Sequence, residues 1–212
     1  MKHGDYSARV AALFGEYASV YAEKYANVQH YLPVYQPFME MIPAGGIVLE
    51  VGCGPGNVTS VLRKLRSDVN ITATDFAPEM LELAKKQNPE VRFFQLDCRD
   101  LARINEKFDG ILAGFVFPYL DCLEVEIFLK QSYQNLHSGG LLCITTMEGK
   151  AETSGYQTSS DGKHSLWIHI HESQTLQLQA EKAGFQVLKA EVTETESHGK
   201  KVQDLMLLLQ KN

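Results

Sequence analysis

The chain has 212 residues, of which 44% are hydrophobic and 22% charged, and these values exclude disordered, collagen-like and fibrous proteins. Its length suits one domain with a small addition. Twenty basic and 26 acidic residues give a formal net charge of -6, so the chain lacks the basic excess that neutralises nucleic-acid phosphates, and we expect no nucleic-acid partner.

The N-terminus and the cysteines argue against export and membrane insertion. The first ten residues, MKHGDYSARV, contain no apolar stretch, and no apolar run approaches the roughly 18 residues that span a membrane. The four cysteines form no CxxC pair, and no convincing set of metal ligands is present. We therefore expect a cytoplasmic protein with no membrane association and no bound metal.

The N-terminal segment and the middle of the chain have different patterns. Residues 1–42 are rich in Tyr and Ala with apolar side chains three and four residues apart, which predicts a helical N-terminal cap. Strands are then predicted at 47–51, 70–75, 91–96, 108–114 and 141–147. Helices are predicted at 57–66, 78–88 and 121–137. This alternation predicts a parallel sheet with helices on both faces.

The last third of the chain predicts a reversal of direction. Residues 148–171 form a polar insertion on the substrate side that ends in a short strand at 166–171. Strands are predicted at 185–192 and 204–210, and the segment between them is too short for a helical crossover. The predicted main domain, residues 43–212, is thus α/β and doubly wound, with a mostly parallel seven-stranded sheet whose last strand is antiparallel.

A glycine-rich turn carries the strongest functional signal. In VLEVGCGPGNVT, residues 48–59, three glycines leave the first strand and enter a helix, where glycine lets a ligand approach the backbone closely. Glu50 precedes these glycines, Asp75 ends the second strand and Asp97 follows the third, at the edge where open α/β sheets bind ligands. The GxGxG spacing departs from the GxGxxG of dinucleotide sites. The acidic rim suits a cationic ligand with a ribose and no phosphate.

These features together resemble the class I S-adenosylmethionine (SAM)-dependent methyltransferases, over roughly residues 14–210. The resemblance implies a Rossmann-like methyltransferase fold, SAM as cofactor and S-adenosylhomocysteine (SAH) as product. It also implies methyl transfer to a small-molecule acceptor by in-line displacement. The segment FGEYASVY at 14–21 is similar to the family's F-x-x-x-A-x-x-Y helix, whose tyrosine, here Tyr21, closes over the cofactor.

The same resemblance implies roles for individual residues. Those expected at the methionine end of the cofactor are Glu50, Gly52, Cys53, Gly54 and Gly56. Those expected around the nucleoside are Asp75 on the ribose hydroxyls, Phe76 and Met80 against the adenine, and Asp97 with the backbone of Cys98 at the adenine amino group. Those expected beside the sulfonium and its methyl are Gly114 and Phe115.

Each assignment has a structural alternative. Asp97 could cap its own turn, Phe76 and Met80 could serve helix packing alone, and Tyr21 could be one of several packing tyrosines. His169 and His171 share one face of a predicted strand and are candidates for a general base, if the acceptor must lose a proton. Alternatively, that face is exposed and has no catalytic role.

Two other functions remain open at this level. One is a non-catalytic SAM-binding module that regulates a partner, and the other is an NAD-dependent oxidoreductase. The acceptor pocket is expected between the cap, the aromatic residues after the fourth strand and the 148–171 insertion. No motif identifies the acceptor, the methylated atom or the oligomeric state.

Overall fold

The computed structural model describes residues 3–25, 32–159, 162–197 and 200–212. The helices are α1 (His3–Glu16), α2 (Ala18–Lys24), α3 (Leu32–Met41), α4 (Asn57–Leu65), α5 (Pro78–Gln87), α6 (Cys122–Asn135) and α7 (Ser173–Lys182). The strands are β1 (Ile47–Val51), β2 (Asn70–Asp75), β3 (Arg92–Gln95), β4 (Phe108–Gly114), β5 (Leu136–Glu148), β6 (Gly155–Thr158), β7 (Ser165–Ile168), β8 (Phe185–Ser197) and β9 (Lys200–Lys211). Short 3₁₀ helices occupy Cys98–Arg103, Phe117–Tyr119 and Ala151–Thr153. Among the helices so described, none is long and apolar enough to cross a membrane.

Seven strands form one mixed sheet in the order β3-β2-β1-β4-β5-β9-β8. Strands β1 to β5 pair in parallel, whereas β9 is antiparallel to both of its neighbours. This confirms the predicted α/β sheet with a reversed last strand. The order of strands changes direction between β1 and β4, and open α/β sheets bind ligands beside such a switch point.

Helices cover both faces of the sheet. On one face, α6 and α7 contribute Phe128 and Leu176 to a core that includes Phe108 of β4. On the other face, α3 lies with α4 and α5, and its Phe38 is fully buried. The ring of Phe38 comes within 2.7 Å of the point where Gly110 would carry a Cβ, so the bare backbone of β4 makes room for α3. The third helix of the N-terminal segment is thus a layer of the main core.

Three local features differ from the predictions. Strand β5 begins at Leu136, directly after α6, because Leu136 pairs with Phe108 before a register shift leads to the pairing of Leu141 with Gly110. The polar insertion at 148–171 contains an additional strand, β6, which pairs antiparallel with β7 in a separate two-stranded sheet. Strands β8 and β9 also extend beyond their predicted ends, because their mutual pairing continues past the edge of β5.

Candidate functional site

A cavity opens at the carboxyl ends of β1, β2 and β4, beside the switch point. It holds about 760 Å³ of space, a figure that includes its open mouth. Ten of the thirteen predicted cofactor residues line it: Tyr21, Gly52, Gly54, Asp75, Phe76, Met80, Asp97, Cys98, Gly114 and Phe115. The remaining lining residues are Val10, Ala11, Phe14, Ala77, Leu96, Arg99, Val116 and Tyr119.

Asp75 joins two turns at the base of the cavity. Its Oδ2 accepts a hydrogen bond from the Gly54 amide at 2.8 Å, and its Oδ1 accepts one from the Ala77 amide at 2.9 Å. Burial outweighs these hydrogen bonds and raises the pKa of the Asp75 carboxyl. A carboxylate offers about four lone pairs, so these two bonds leave acceptor capacity for the hydroxyls of a ligand.

Gly54 leaves the floor of the cavity open. Its φ of 55° lies in the left-handed region, which glycine adopts without steric cost. A Cβ built at this position would meet nothing closer than Cε1 of Tyr21, at 3.9 Å. The bare backbone therefore provides a surface that a ligand can contact directly between Tyr21 and Asp75.

Three predicted cofactor residues lie behind the lining. Glu50 is buried and accepts a 2.6 Å hydrogen bond from the Thr59 hydroxyl, which ties β1 to α4. Burial raises the pKa of Glu50 to about 8. Cys53 is also buried, and its backbone amide donates to the Thr74 carbonyl. The contacts of Glu50 and Cys53 thus tie β1 and the glycine turn to α4 and β2.

The third of these residues, Gly56, supports helix packing. It precedes α4 with a φ of 87°. A Cβ at Gly56 would lie 3.0 Å from Cα of Ala84 and 2.7 Å from Nδ2 of Asn88, so only glycine lets α4 and α5 approach so closely. Asn88 in turn donates from Nδ2 to the Gly56 carbonyl.

Helices α1 and α2 supply an aromatic roof. The ring of Phe14 makes edge contacts with Tyr21, at 5.6 Å between centroids, and with Tyr119, at 5.3 Å. Burial, with smaller contributions from Tyr25 and Asp75, raises the pKa of the Tyr21 phenol, which therefore stays neutral. Phe14 packs against both the Met80 cluster of α5 and the apolar side chains of the β7 segment. In the sequence, this roof is indicated by the similarity of residues 14–21 to the F-x-x-x-A-x-x-Y helix, in which Phe14 is the first position.

Asp97 lies on the wall of the cavity and also caps the 3₁₀ helix that follows. Its Oδ1 accepts from the Arg99 amide at 3.0 Å, so the turn-cap alternative and the cavity position are both observed. The guanidinium of Arg99 contacts the same carboxylate at 2.9 and 3.1 Å. Arg99 was not among the predicted residues, because an arginine in a polar stretch carries no distinctive sequence signal.

The two candidate general bases are not part of the cavity lining. His171 has Nε2 2.9 Å from the Phe117 carbonyl, so this nitrogen carries the proton and donates it. The backbone amide of His169 donates to the Pro118 carbonyl at 2.9 Å. Burial lowers the pKa of both imidazoles. These contacts hold the turn at 117–119, and a general-base role for either histidine stays a prediction.

Phe115 has a strained backbone at the carboxyl end of β4. Its φ of 55° is in the left-handed region although it is not glycine, a conformation that costs on the order of 1–3 kcal/mol and is common at functional sites. The Phe115 amide donates to the Thr145 carbonyl at 2.8 Å, which holds this conformation against β5. No sequence pattern indicates such strain.

Sequence comparison finds that this chain is similar to methyltransferases. Residues 48–140 match the family described as a methyltransferase domain. The malonyl-[acyl-carrier protein] O-methyltransferase of Bacillus cereus is 34% identical over 134 residues, which are 61% of this chain and 49% of that protein. The chain therefore spans about half the length of this curated relative.

Solved structures with low sequence identity share the fold. A crystal structure of an S-adenosylmethionine-dependent methyltransferase from Clostridium acetobutylicum aligns with a TM-score of 0.71 at 16% identity, covering 94% of this chain and 99% of that one. The structure of DhpI in complex with SAH aligns with a TM-score of 0.65 at 19% identity, covering 92% and 93%.

Proposed function

We propose that this chain, which has the fold and the matched domain of the class I SAM-dependent methyltransferases, transfers a methyl group from SAM to a small organic acceptor. The observation that carries the proposal is the hydrogen bond from Gly54 to Asp75 at the switch point. It fixes a carboxylate beside a bare backbone turn at the edge where α/β sheets bind ligands.

The polarity and charge of the residues around the cavity support SAM as the ligand. Asp75 has acceptor capacity for ribose hydroxyls, and Phe76 and Met80 offer apolar surface for an adenine ring. The carboxylates of Asp75 and Asp97 favour a cationic ligand and oppose a pyrophosphate, which argues against the NAD alternative. Glu50, Cys53 and Gly56 support this site without lining it.

The chemistry requires little beyond alignment. When bound, SAM supplies a methyl group activated by a positively charged sulfonium. Gly114 ends β4 and Phe115 follows it, and both line the cavity together with the contacting rings of Phe14 and Tyr119. These residues can hold an acceptor in line and keep water out, and such alignment can supply roughly 7–11 kcal/mol.

The lining also indicates the kind of acceptor. The expected acceptor side of the cavity is apolar and aromatic, because it is lined by Phe14, Phe115, Val116 and Tyr119. Such a lining suits an organic acceptor with an apolar part. Arg99 lines the cavity as a cation but is already bonded to Asp97 and Glu124, so it offers an anionic acceptor little free charge.

All four cysteines are unpaired thiols, which supports a reducing compartment such as the cytoplasm.

Calorimetry with SAM and SAH tests the cofactor assignment. We expect the wild type to bind both and Asp75→Ala to lose at least tenfold in affinity, because the base of the cavity loses its acceptor and both turn amides lose their partner. Asp100→Ala is the matched control, since this aspartate does not line the cavity, is 53% exposed and contacts Arg103 at 3.7 Å. Absence of SAM binding to folded wild type, or stabilisation by NAD alone, would overturn the proposal.

A methyl-transfer assay then distinguishes an enzyme from a regulatory module. Purified protein is incubated with methyl-labelled SAM and a metabolite extract, and a malonyl thioester is tested separately because the curated relative is named for that acceptor. Labelling of an extracted metabolite supports the proposed acceptor class. Labelling of the malonyl thioester alone would replace it, and SAM binding without any labelling would favour the regulatory module.

A further inference from the structure

Arg99 connects three segments of the chain around the cavity. Its NH1 group contacts both carboxylate oxygens of Asp97, its Nε donates to Glu124 at 2.6 Å, and its NH2 group donates to the Tyr119 carbonyl at 3.1 Å. The side chain is only 21% exposed, and those of Asp97 and Glu124 are 16% and 14% exposed. Such charge-assisted, partly buried contacts hold their partners much more firmly than surface ion pairs do.

The first consequence concerns the orientation of Asp97. One carboxylate oxygen accepts from both the backbone and the side chain of Arg99, while Oδ2 accepts at 3.1 Å from the guanidinium. The Asp97 carboxylate, which lines the cavity, therefore keeps acceptor capacity in an orientation that the planar guanidinium helps to set. A ligand group that donates a hydrogen bond is favoured there, and one that presents a lone pair is repelled.

The second consequence concerns the turn at Phe117–Tyr119. Three successive carbonyls of this turn accept hydrogen bonds from two other segments: those of Phe117 and Pro118 from the His171 ring and the His169 amide, and that of Tyr119 from Arg99. Of these donors, Arg99 lines the cavity and also holds Asp97. One side chain thus contributes both to holding this turn and to orienting Asp97.

We propose that Arg99 is a positioning residue that holds Asp97 for recognition of a 6-amino purine and thereby sets the preference of the cavity for adenine over its 6-oxo analogue. The inference rests on the proposed function. An adenine amino group donates to a carboxylate, whereas the oxygen of a 6-oxo purine faces it with lone pairs. Discrimination depends on an Asp97 that cannot turn away, and the guanidinium prevents that rotation.

Arg99→Gln tests the role of the guanidinium and keeps the nearby hydrogen bonds that backbone amides donate to Asp97 and Glu124. In Arg99→Gln the backbone amide of residue 99 still donates a hydrogen bond to the Asp97 carboxylate, and the Asp121 amide still donates one to Glu124. Arg99→Lys retains the charge but not the planar fork. Arg103→Gln is the matched control, because Arg103 lies on the same 3₁₀ helix with a side chain that is 75% exposed.

The experiment measures dissociation constants for SAH and S-inosylhomocysteine by calorimetry on all four proteins. We expect the wild type and Arg103→Gln to prefer SAH strongly. The preference should fall roughly tenfold in Arg99→Gln and by an intermediate factor in Arg99→Lys. Thermal midpoints are recorded in parallel to confirm that each protein is folded.

Each outcome bears on the inference. A purely structural role for Arg99 would weaken both ligands by the same factor, so an unchanged ratio in Arg99→Gln would overturn the proposal, as would an equal loss in Arg103→Gln. Wild type that binds SAH without discriminating overturns it and leaves the proposed function intact. If the wild type binds neither SAH nor S-inosylhomocysteine, both the proposed function and this inference are contradicted.

Discussion

The amide of Gly54 and the carboxylate of Asp75 lie 2.8 Å apart, although 21 residues separate them in the chain. Gly54 follows β1 and Asp75 ends β2, so the hydrogen bond fixes two neighbouring loops relative to each other. The same carboxylate accepts from Ala77 at the start of α5. The geometry of the whole cavity floor therefore depends on one acidic side chain.

A comparison of two glycines will separate backbone strain from close packing. Gly56→Ala forces both a left-handed φ of 87° and a Cβ 3.0 Å from Ala84 Cα, whereas Gly45→Ala forces a left-handed φ of 68° in open space. We expect Gly45→Ala to lose about 1 kcal/mol of unfolding free energy and Gly56→Ala about 2–4 kcal/mol. Urea denaturation measures both, and equal losses would show that α4 and α5 are not held as closely as described.

The pH dependence of stability will report the buried Glu50. Its pKa is about 8 in the folded chain, raised chiefly by burial, and near 4.5 when exposed, so the folded state binds the additional proton between these values. Its contribution to stability is full below pH 4.5 and is lost as the pH rises through 8, by up to about 1.4 kcal/mol per pH unit. Glu50→Gln should therefore flatten this part of the stability profile. The check is denaturant unfolding from pH 5 to 9, and identical slopes would contradict the expectation.

Substitutions of His171 will distinguish support of the turn from general-base catalysis. His171→Ala leaves the Phe117 carbonyl without its donor, and we expect a loss of about 1–3 kcal/mol in stability and a raised KM for the acceptor. His171→Gln keeps an N–H donor, so we expect it to restore most of the stability and to bring the KM for the acceptor back toward the wild-type value. A general base would instead show a loss of ~10²–10⁴-fold in kcat for both variants, which steady-state kinetics would reveal.

Truncation of Phe14 will test the aromatic roof. Phe14→Ala removes the edge contacts with Tyr21 and Tyr119, and we expect a loss of about 2 kcal/mol in stability and at least fivefold weaker SAM binding. Val20→Ala on α2 is the control, because Val20 is 60% exposed and should change little. Fluorescence-monitored unfolding and calorimetry provide the two measurements. Unchanged SAM affinity in Phe14→Ala would mean that α1 does not close over the cofactor.

The predictable part of the structure is the part set by local patterns. Alternating apolar strands and helices, together with the short connection before β9, predicted the sheet and its reversed last strand. The glycine turn and the carboxylates after β2 and β3 predicted which residues meet at the switch point, because parallel strands end at one edge. Their roles toward a ligand stay predictions.

The rest depends on contacts between distant residues. Nothing local indicates that Phe38 of α3 packs against Gly110 of β4, or that Phe115 adopts a positive φ. The sequence predicts His171 on a strand, whereas β7 ends at Ile168 and the Nε2 of His171 bonds the Phe117 carbonyl, 54 residues away. Arg99 was missed for the same reason, since each partner of its guanidinium other than Asp97 lies at least 20 residues away.

The β6–β7 hairpin completes its own backbone pairing, and between Glu148 and His171 an isolated bridge joins this region to the large sheet. A change in the length or sequence of the hairpin therefore leaves the hydrogen-bond ladder of the seven main strands intact. Because its apolar side chains contact Phe14 and Tyr119, the same change reshapes the acceptor side of the cavity. The shape of this side of the cavity can therefore change without disturbing the strands that position Gly54 and Asp75.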